Sequence, residues 1–371
     1  GLVQSAFFLG YFLFAMPAAM FMRRYSYKAA VVLGLLLFAA GTFLFYPAAE
    51  IHAYGVFLLA LFVIASGLAF LETSANSLVT VLGPAEGAAR RLNLAQAFNP
   101  LGAMIGVMIG SHFIFSGIEY GAQDLAAMAP AAREAYFAAE SAAVQMPYLA
   151  IGVVVLLWAV LVAGTKFPAT RDKGVEHKAS SGAQLKELLR NRNFVFAVVA
   201  QLFYVGAQVG VWSYLIRYFQ DAVPGTPERV AASFLTASLA LFMCGRFVGS
   251  LLLRKVSPTR LLGAFALVDL LLCIIAIALP GMIGLYALVG VSIFMSVMFP
   301  TIFVLGLSGL DDDHRKLGSS MLVMAIVGGA LLPALMGAVS DVAGIHWAIA
   351  VPALSFIVIL AYALRTARLM R

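Results

Sequence analysis

Glu72 is the residue of this sequence whose chemistry is most informative. It lies within an apolar stretch from about residue 54 to 82, far from any other charged side chain. A carboxylate near the middle of a bilayer is costly and is usually functional. Asn76 and Thr80 follow at helical spacing, so the three polar side chains form one stripe. A carboxyl group in this setting can bind a proton or accept hydrogen bonds from the hydroxyl groups of a ligand.

The composition is that of a membrane protein, with 63% hydrophobic residues, 11% charged residues and a mean hydropathy of +0.98. Soluble domains have about 25% charged residues. Backbone groups in lipid must bond within their own segment, which requires helices, and the alternation of barrel strands is missing. We therefore predict an all-α polytopic fold with eleven transmembrane helices, at about residues 2–22, 28–48, 54–82, 92–115, 146–167, 194–220, 230–253, 260–279, 283–308, 317–340 and 344–364.

The positive charge of the chain is unevenly distributed between the loops. The net charge is +7, and most of the 24 lysines and arginines fall in loops on one side of the predicted helices. The positive-inside rule places that side, with the central loop and the C-terminus, in the cytoplasm. The basic residues thus indicate contact with a lipid bilayer and topology rather than nucleic-acid binding. Cys244 and Cys273 lie inside spans and suggest neither a disulfide nor a metal site.

A polar segment at residues 168–191 is predicted to be a cytoplasmic linker between an N-terminal half, residues 1–167, and a C-terminal half, residues 192–371. Arg23–Ser26 recurs as Arg254–Ser257, and Val81–Gly83 recurs as Val304–Gly306, at similar offsets. These weak repeats predict a duplicated six-helix unit. The first half contains five spans, so we expect the sequence to be a fragment that lacks the first of twelve transmembrane helices.

Several segments resemble a known family: Gly67–Asn76, Val79–Pro84, Arg91–Asn99, Tyr204–Gln208 and Trp212–Tyr218. They are similar to the fucose–galactose–glucose:proton symporter family of the major facilitator superfamily. The resemblance implies two six-helix halves with a substrate near the midplane between them. It also implies alternating access in the bacterial inner membrane, with protons as the coupling ion and no cofactor. We expect a monomer.

The third and fourth spans form an antiparallel hairpin, which puts Gln96 and Asn99 at the depth of Glu72 and Asn76. Amides beside a carboxyl group supply both donors and acceptors, and this suits a ligand with several hydroxyls. The alternative is ordinary hydrogen bonding between helices. We predict that Glu72 is the proton-coupling residue and that all four residues bind substrate.

The sixth span carries Gln201, Tyr204, Gln208 and Trp212 at helical spacing. This stripe predicts amides and aromatic rings presented to a sugar from the second half, with helix packing and an interfacial aromatic belt as the alternative. Phe299 precedes a proline at a position where the family's fucose-transporting pattern has tyrosine. Phe299 is therefore expected in the substrate site, with one hydroxyl fewer. A second departure is that the family's first helix, which is expected to be missing here, carries an aspartate used in transport.

Other intramembrane charges have structural interpretations. Arg246 and Asp269 flank a short loop at similar depth, which predicts a buried structural ion pair within a hairpin. The acidic run from Asp311 to His314 is expected to be a solvated loop rather than a metal site. The sequence contains no nucleotide-binding motif, no metal cluster and no nucleophile–base pair in context, so we expect no enzyme activity.

These features together predict a proton-coupled secondary transporter that imports a neutral monosaccharide. The resemblance favours L-fucose, with galactose, glucose or an amino sugar as alternatives. Two other functions are compatible with the same sequence: a proton-coupled antiporter of amphipathic compounds, and a membrane sugar sensor that does not transport.

Overall fold

The computed structural model describes residues 2–51, 53–109, 124, 127–167, 181–225 and 228–369, and the described elements are helical. The principal helices, numbered in chain order, are α1 Leu2–Arg24, α2 Tyr27–Glu50, α3 Tyr54–Val81, α4 Ala88–Gln96, α5 Phe98–Ile109, α6 Pro130–Gly164, α7 Ser181–Arg190, α8 Arg192–Ala222, α9 Glu228–Leu252, α10 Pro258–Ala278, α11 Met282–Met295, α12 Met298–Leu307, α13 Asp312–Met324, α14 Gly328–Ala343, α15 Ile345–Ala348 and α16 Ala350–Leu369. The predicted all-α polytopic fold is confirmed.

Within the described residues, ten helical segments are long and apolar enough to cross a membrane. The predicted span at 92–115 is divided between α4 and α5, and its last residues lie outside the described part of the chain. The predicted linker at 168–191 is also divided. Residues 168–180 lie outside the described part, and residues 181–190 form α7 rather than a loop.

Two of the spans predicted from the sequence, 92–115 and 283–308, are interrupted four residues before a proline. Pro100 has no N–H to donate to the carbonyl of Gln96, and α4 ends at that residue. Pro300 likewise cannot donate to the carbonyl of Ser296, and α11 ends at Met295, one residue before Ser296. Transporter sites are typically built at such interruptions, because the irregular backbone leaves polar groups free to face a cavity.

The helices pack into two bundles. In the first, α2 contacts α1, α3 and α6; in the second, α8 contacts α9, α11, α12, α14 and α16. Gly34 and Gly67 allow α2 and α3 to approach closely, because a Cβ on Gly67 would lie 2.7 Å from the carbonyl oxygen of Gly34. The bundles meet where α1 and α3 contact α13, and where α4 contacts α9 and α12.

Candidate functional site

Three side chains of α3 and α4 form one hydrogen-bonded cluster. The Asn76 Nδ2 donates to Glu72 Oε2 at 2.6 Å, and the Gln96 Nε2 lies 3.3 Å from the same oxygen. The Gln96 Nε2 also donates to Asn76 Oδ1 at 2.9 Å. Both amides thus converge on one carboxyl oxygen, and no described residue donates to Glu72 Oε1. The second oxygen is therefore available to a proton or a ligand.

Two adjoining cavities meet at Glu72. One, of about 250 Å³, lies along α3 and is lined by Glu72, Asn76, Gln96 and Asn99 among others. The other, of about 280 Å³, lies between the two bundles and shares Glu72, Gln96 and Asn99 with the first. The structure therefore brings Glu72, Asn76, Gln96 and Asn99 together, as the hairpin register predicted. The larger cavity is also lined by residues from both bundles, namely Phe7, Phe8, Tyr11, Gln208, Trp212, Phe242, Arg246 and Phe299.

Both bundles supply polar groups and aromatic rings to the larger cavity. The first supplies the Glu72 carboxyl group, the Gln96 and Asn99 amides and three rings, and the second supplies the Gln208 amide, the Arg246 guanidinium and three rings. Trp212 is held by its indole N–H, which donates to Ser292 Oγ at 3.1 Å, and Ser292 Oγ lies 2.5 Å from Ser238 Oγ. The Trp212 ring packs edge-on against Phe242, with 5.0 Å between ring centroids. Amides and aromatic rings in one cavity suit a ligand that has hydroxyl groups and apolar C–H faces.

The predicted stripe on the sixth span enters the cavity only at its outer end. Gln208 and Trp212 line the cavity, but Gln201 and Tyr204 are fully buried and do not. They lie one to two turns nearer the N-terminal end of α8 and are enclosed by protein, so in this structure the predicted stripe lines the cavity only at Gln208 and Trp212. The Tyr204 ring packs behind Phe299, with centroids 6.2 Å apart.

The structure does not contain the predicted ion pair between Arg246 and Asp269. No salt bridge joins them, and both carboxyl oxygens of Asp269 lack a hydrogen-bond partner among the described residues. Arg246 instead lines the cavity, with its guanidinium 4.8 Å from the centroid of the Phe242 ring and within electrostatic range of Glu72. The hairpin register predicts similar depths for the two residues, but it could not determine the direction in which each side chain points.

Several residues of the cavity wall were not anticipated, among them Phe7, Phe8, Tyr11, Phe242 and, as a cavity residue, Arg246. The Tyr11 hydroxyl lies within electrostatic range of Glu72. Phe7 and Tyr11 are one helical turn apart on α1, and this spacing was the one indication in the sequence that both rings lie on the same face of the helix. An aromatic pair in an apolar helix is more often packing than binding, so the sequence alone did not distinguish it.

Side chains from both bundles also meet at the basic end of the helices, which the positive-inside rule predicts to be cytoplasmic. The Tyr27 hydroxyl donates to Asp312 Oδ1 at 2.9 Å, and Lys316 Nζ lies 2.9 Å from Asp312 Oδ2. Arg23 Nε lies 3.7 Å from Asp313 Oδ1. We call Arg23, Tyr27, Asp312, Asp313 and Lys316 the cytoplasmic latch. The acidic run is therefore not a solvated loop, because Asp311 caps α13 and Asp312 and Asp313 form its first turn.

Two helical bundles that enclose a polar cavity near the middle of their spans define a secondary transporter. The sequence profile of the Major Facilitator Superfamily matches residues 1–326. The L-fucose-proton symporter of Escherichia coli is 47% identical over 367 residues, which are 98% of this chain and 84% of that protein. The glucose/galactose transporter of Brucella abortus is 37% identical over 364 residues, covering 98% and 84%.

A solved structure agrees with these sequence comparisons. The crystal structure of the major facilitator transporter FucP in the outward conformation superposes with a TM-score of 0.91 and 46% identity, covering 99% of this chain and 89% of that one. The chain belongs to the Major Facilitator Superfamily and, within it, to the family of L-fucose-proton symporters. The family resemblance inferred from the motifs is confirmed.

Proposed function

We propose that this chain is a proton-coupled symporter that imports L-fucose across the bacterial inner membrane by alternating access. The observation that carries the proposal is the cluster of Glu72, Asn76 and Gln96, which opens onto a cavity between two bundles. It combines a protonatable group with hydroxyl-binding amides in one place. Proton and sugar can therefore bias the same conformational equilibrium, and the coupling between them is reciprocal.

The choice of sugar rests on the relatives and on the cavity. The E. coli relative, at 47% identity, is an L-fucose-proton symporter. A cavity of about 280 Å³ is near the lower end of the range for ligand pockets and suits a single sugar ring. The 6-deoxy position of L-fucose is a methyl group, which would pack against the aromatic wall of Phe242, Trp212 and Phe299. Gln96 and Asn99 would bind the hydroxyls.

Glu72 is the proposed proton carrier. Of the described residues that line the two cavities, it is the acidic one and Arg246 the basic one. Burial in an apolar span disfavours a charged carboxylate, while nearby Arg246 and the two amide donors favour it. Because these opposing effects come from different helices and different bundles, a relative movement of the bundles changes their balance. That is the physical basis for taking up a proton in one conformation and releasing it in the other.

The cytoplasmic latch supports alternating access. It joins α1 and α2 of the first bundle to α13 on the basic side, so the cavity is closed towards the cytoplasm. The close superposition on a relative in the outward conformation is consistent with this arrangement. We infer that opening to the cytoplasm requires these contacts to break, and that the latch sets the relative populations of the two conformations.

Replacing Tyr27 by phenylalanine is expected to favour the inward-open conformation. The substitution removes only the hydroxyl that donates to Asp312, a charge-assisted hydrogen bond across the bundles. Such bonds contribute about 1.5–3 kcal/mol, so the equilibrium is expected to shift roughly tenfold or more. The measurement is the rate at which an impermeant thiol reagent, applied from outside, labels a cysteine placed at Ala103 in the cavity wall, with Cys244 replaced by alanine.

The labelling rate is expected to fall in the Tyr27→Phe chain and to stay unchanged in the matched control Tyr25→Phe, because Tyr25 is 59% exposed. Equal labelling of the two variants would show that the latch does not hold the outward conformation.

Phe299→Tyr is expected to change sugar preference. The substitution places a hydroxyl in the wall of the cavity, where it can hydrogen-bond a sugar, and a typical bond contributes about 1 kcal/mol. We expect KM for L-fucose to fall about fivefold. Phe294→Tyr is the matched control, since Phe294 packs against Phe265 and does not line the cavity. Identical kinetics in both variants would contradict the placement of Phe299 in the sugar site.

The proposed function is tested by uptake into energised vesicles that contain this chain. L-Fucose, D-galactose, D-glucose and an amino sugar are compared, with and without an inward proton gradient. Gradient-driven accumulation of L-fucose above the others supports the proposal. Accumulation of galactose or glucose instead would reassign the substrate. Sugar binding without uptake would indicate a sensor, and proton-driven efflux of amphipathic compounds would indicate an antiporter.

A further inference from the structure

Asp269 is a buried acidic side chain that the proposed mechanism does not use. It lies in the middle of α10 and is 0% exposed. Neither of its carboxyl oxygens has a hydrogen-bond partner among the described residues. An ionised carboxylate without a partner in such an environment is strongly disfavoured, and a buried group of this kind normally becomes neutral instead. An acid within a membrane span is also a functional candidate by default.

The charges around Asp269 do not compensate a carboxylate. Among the described residues, the buried cationic side chains are Arg246 and Lys316. Lys316 pairs with Asp312 at the cytoplasmic end. Arg246 faces the cavity within electrostatic range of Glu72. If Glu72 and Asp269 were both ionised, one guanidinium would have to balance two carboxylates in the interior. A proton on one of them removes that imbalance.

The surroundings of Asp269 connect it to the cavity wall. The titratable groups within its electrostatic range include Tyr204 on α8 and Cys273, one turn along α10. Tyr204 is also within electrostatic range of Arg246, and its ring packs against Phe299, which lines the cavity. The Tyr204 hydroxyl is buried without a hydrogen-bond partner among the described residues. Tyr204 thus packs against a residue of the cavity wall and brings a buried hydroxyl, which can both donate and accept, into the surroundings of the acid.

We propose that Asp269 is a second proton-binding carboxyl group, which carries a proton inside the second bundle behind the wall of the cavity. Its counterpart, Glu72, belongs to the first bundle and is open to the cavity. The transporter therefore has one proton-binding acid in each bundle. The role in transport rests on the proposed symport, but the bound proton does not.

The bound proton is tested first, by infrared spectroscopy of this chain in lipid nanodiscs at neutral pH. A protonated carboxylic acid has a carbonyl stretching band that an ionised carboxylate lacks, and the band shifts in heavy water. We expect this band to lose intensity in Asp269→Asn and to be present when Glu72 is replaced by glutamine. An unchanged band in Asp269→Asn would overturn the proposal. If that variant does not fold, Asp269→Glu provides the test, since it should retain the band at a shifted frequency.

The role in transport is tested by uptake. In Asp269→Asn, proton-driven accumulation of L-fucose is expected to fall by about tenfold, a coupling of typical size, while exchange of labelled for unlabelled sugar stays within about twofold. Unchanged accumulation would overturn the role in transport. The two failures are distinguishable, because failure of the proposed function removes uptake by the unmodified chain and leaves the infrared result intact.

Discussion

Glu72→Gln is expected to abolish accumulation of L-fucose against a gradient while leaving exchange of bound for free sugar intact. Glutamine has nearly the same shape and retains a carbonyl oxygen that can accept from Asn76 and Gln96. It cannot gain or lose a proton in the transport cycle. Sugar binding therefore persists, and only the coupling to the proton gradient is lost. A coupling of typical size corresponds to an effect of about 5- to 150-fold on accumulation.

The measurement compares accumulation and exchange in the same vesicles. Glu86→Gln is the matched control, because Glu86 is an exposed acid at the cytoplasmic turn between α3 and α4. We expect that control to accumulate sugar like the unmodified chain. If Glu72→Gln still concentrates sugar, another group carries the coupling proton, and Asp269 becomes the leading candidate.

Arg246→Met is expected to stop uptake and to lower the thermal stability of the protein. Arg246 is 4% exposed and is within electrostatic range of Glu72, and its backbone carbonyl accepts a hydrogen bond from Asn93 Nδ2 at 2.8 Å. Methionine preserves the apolar stem and the backbone contact but removes the charge. The Glu72 carboxylate then lacks a cation in a poorly hydrated site, and the balance between its two charge states changes.

A double-mutant cycle separates this electrostatic effect from packing. If the charge of Arg246 acts on Glu72, the stability loss of Arg246→Met should be smaller in a Glu72→Gln background, with an interaction energy of about 0.5–3 kcal/mol. Arg217→Met is the control, because Arg217 lies over the Tyr214 ring near the outer end of α8 and away from the cavity. Strictly additive losses would show that Arg246 acts by packing alone.

Much of this protein follows from local patterns in the sequence. Hydropathy and helical periodicity predicted the membrane helices. The hairpin register matched Glu72 and Asn76 with Gln96 and Asn99, and the structure places all four at one cavity. These predictions succeed because a helix has a fixed rise and twist, so depth and spacing along a single hairpin can be calculated without knowing the rest of the fold.

Other features depend on how distant helices are arranged. Asp312 and Tyr27 are 285 residues apart, and nothing local indicates that they form a hydrogen bond. Pro100 and Pro300 are visible in the sequence, but the helix interruptions before them and the position of these interruptions at the cavity were not predicted. Tyr204 is buried against Phe299 while Gln208, one turn along the same helix, lines the cavity, and this too depends on how the neighbouring helices pack.

The sequence by itself determined which residue types are present at each depth of the membrane, because the depth of a residue follows from hydropathy, helical periodicity and the positions of the turns. Only the tertiary structure decided which way each side chain faces, because rotation about the helix axis depends on the packing of all neighbouring helices. Arg246 and Asp269 illustrate this difference: the hairpin register predicts similar depths for them, yet Arg246 lines the cavity together with Glu72 and Asp269 is fully buried outside it.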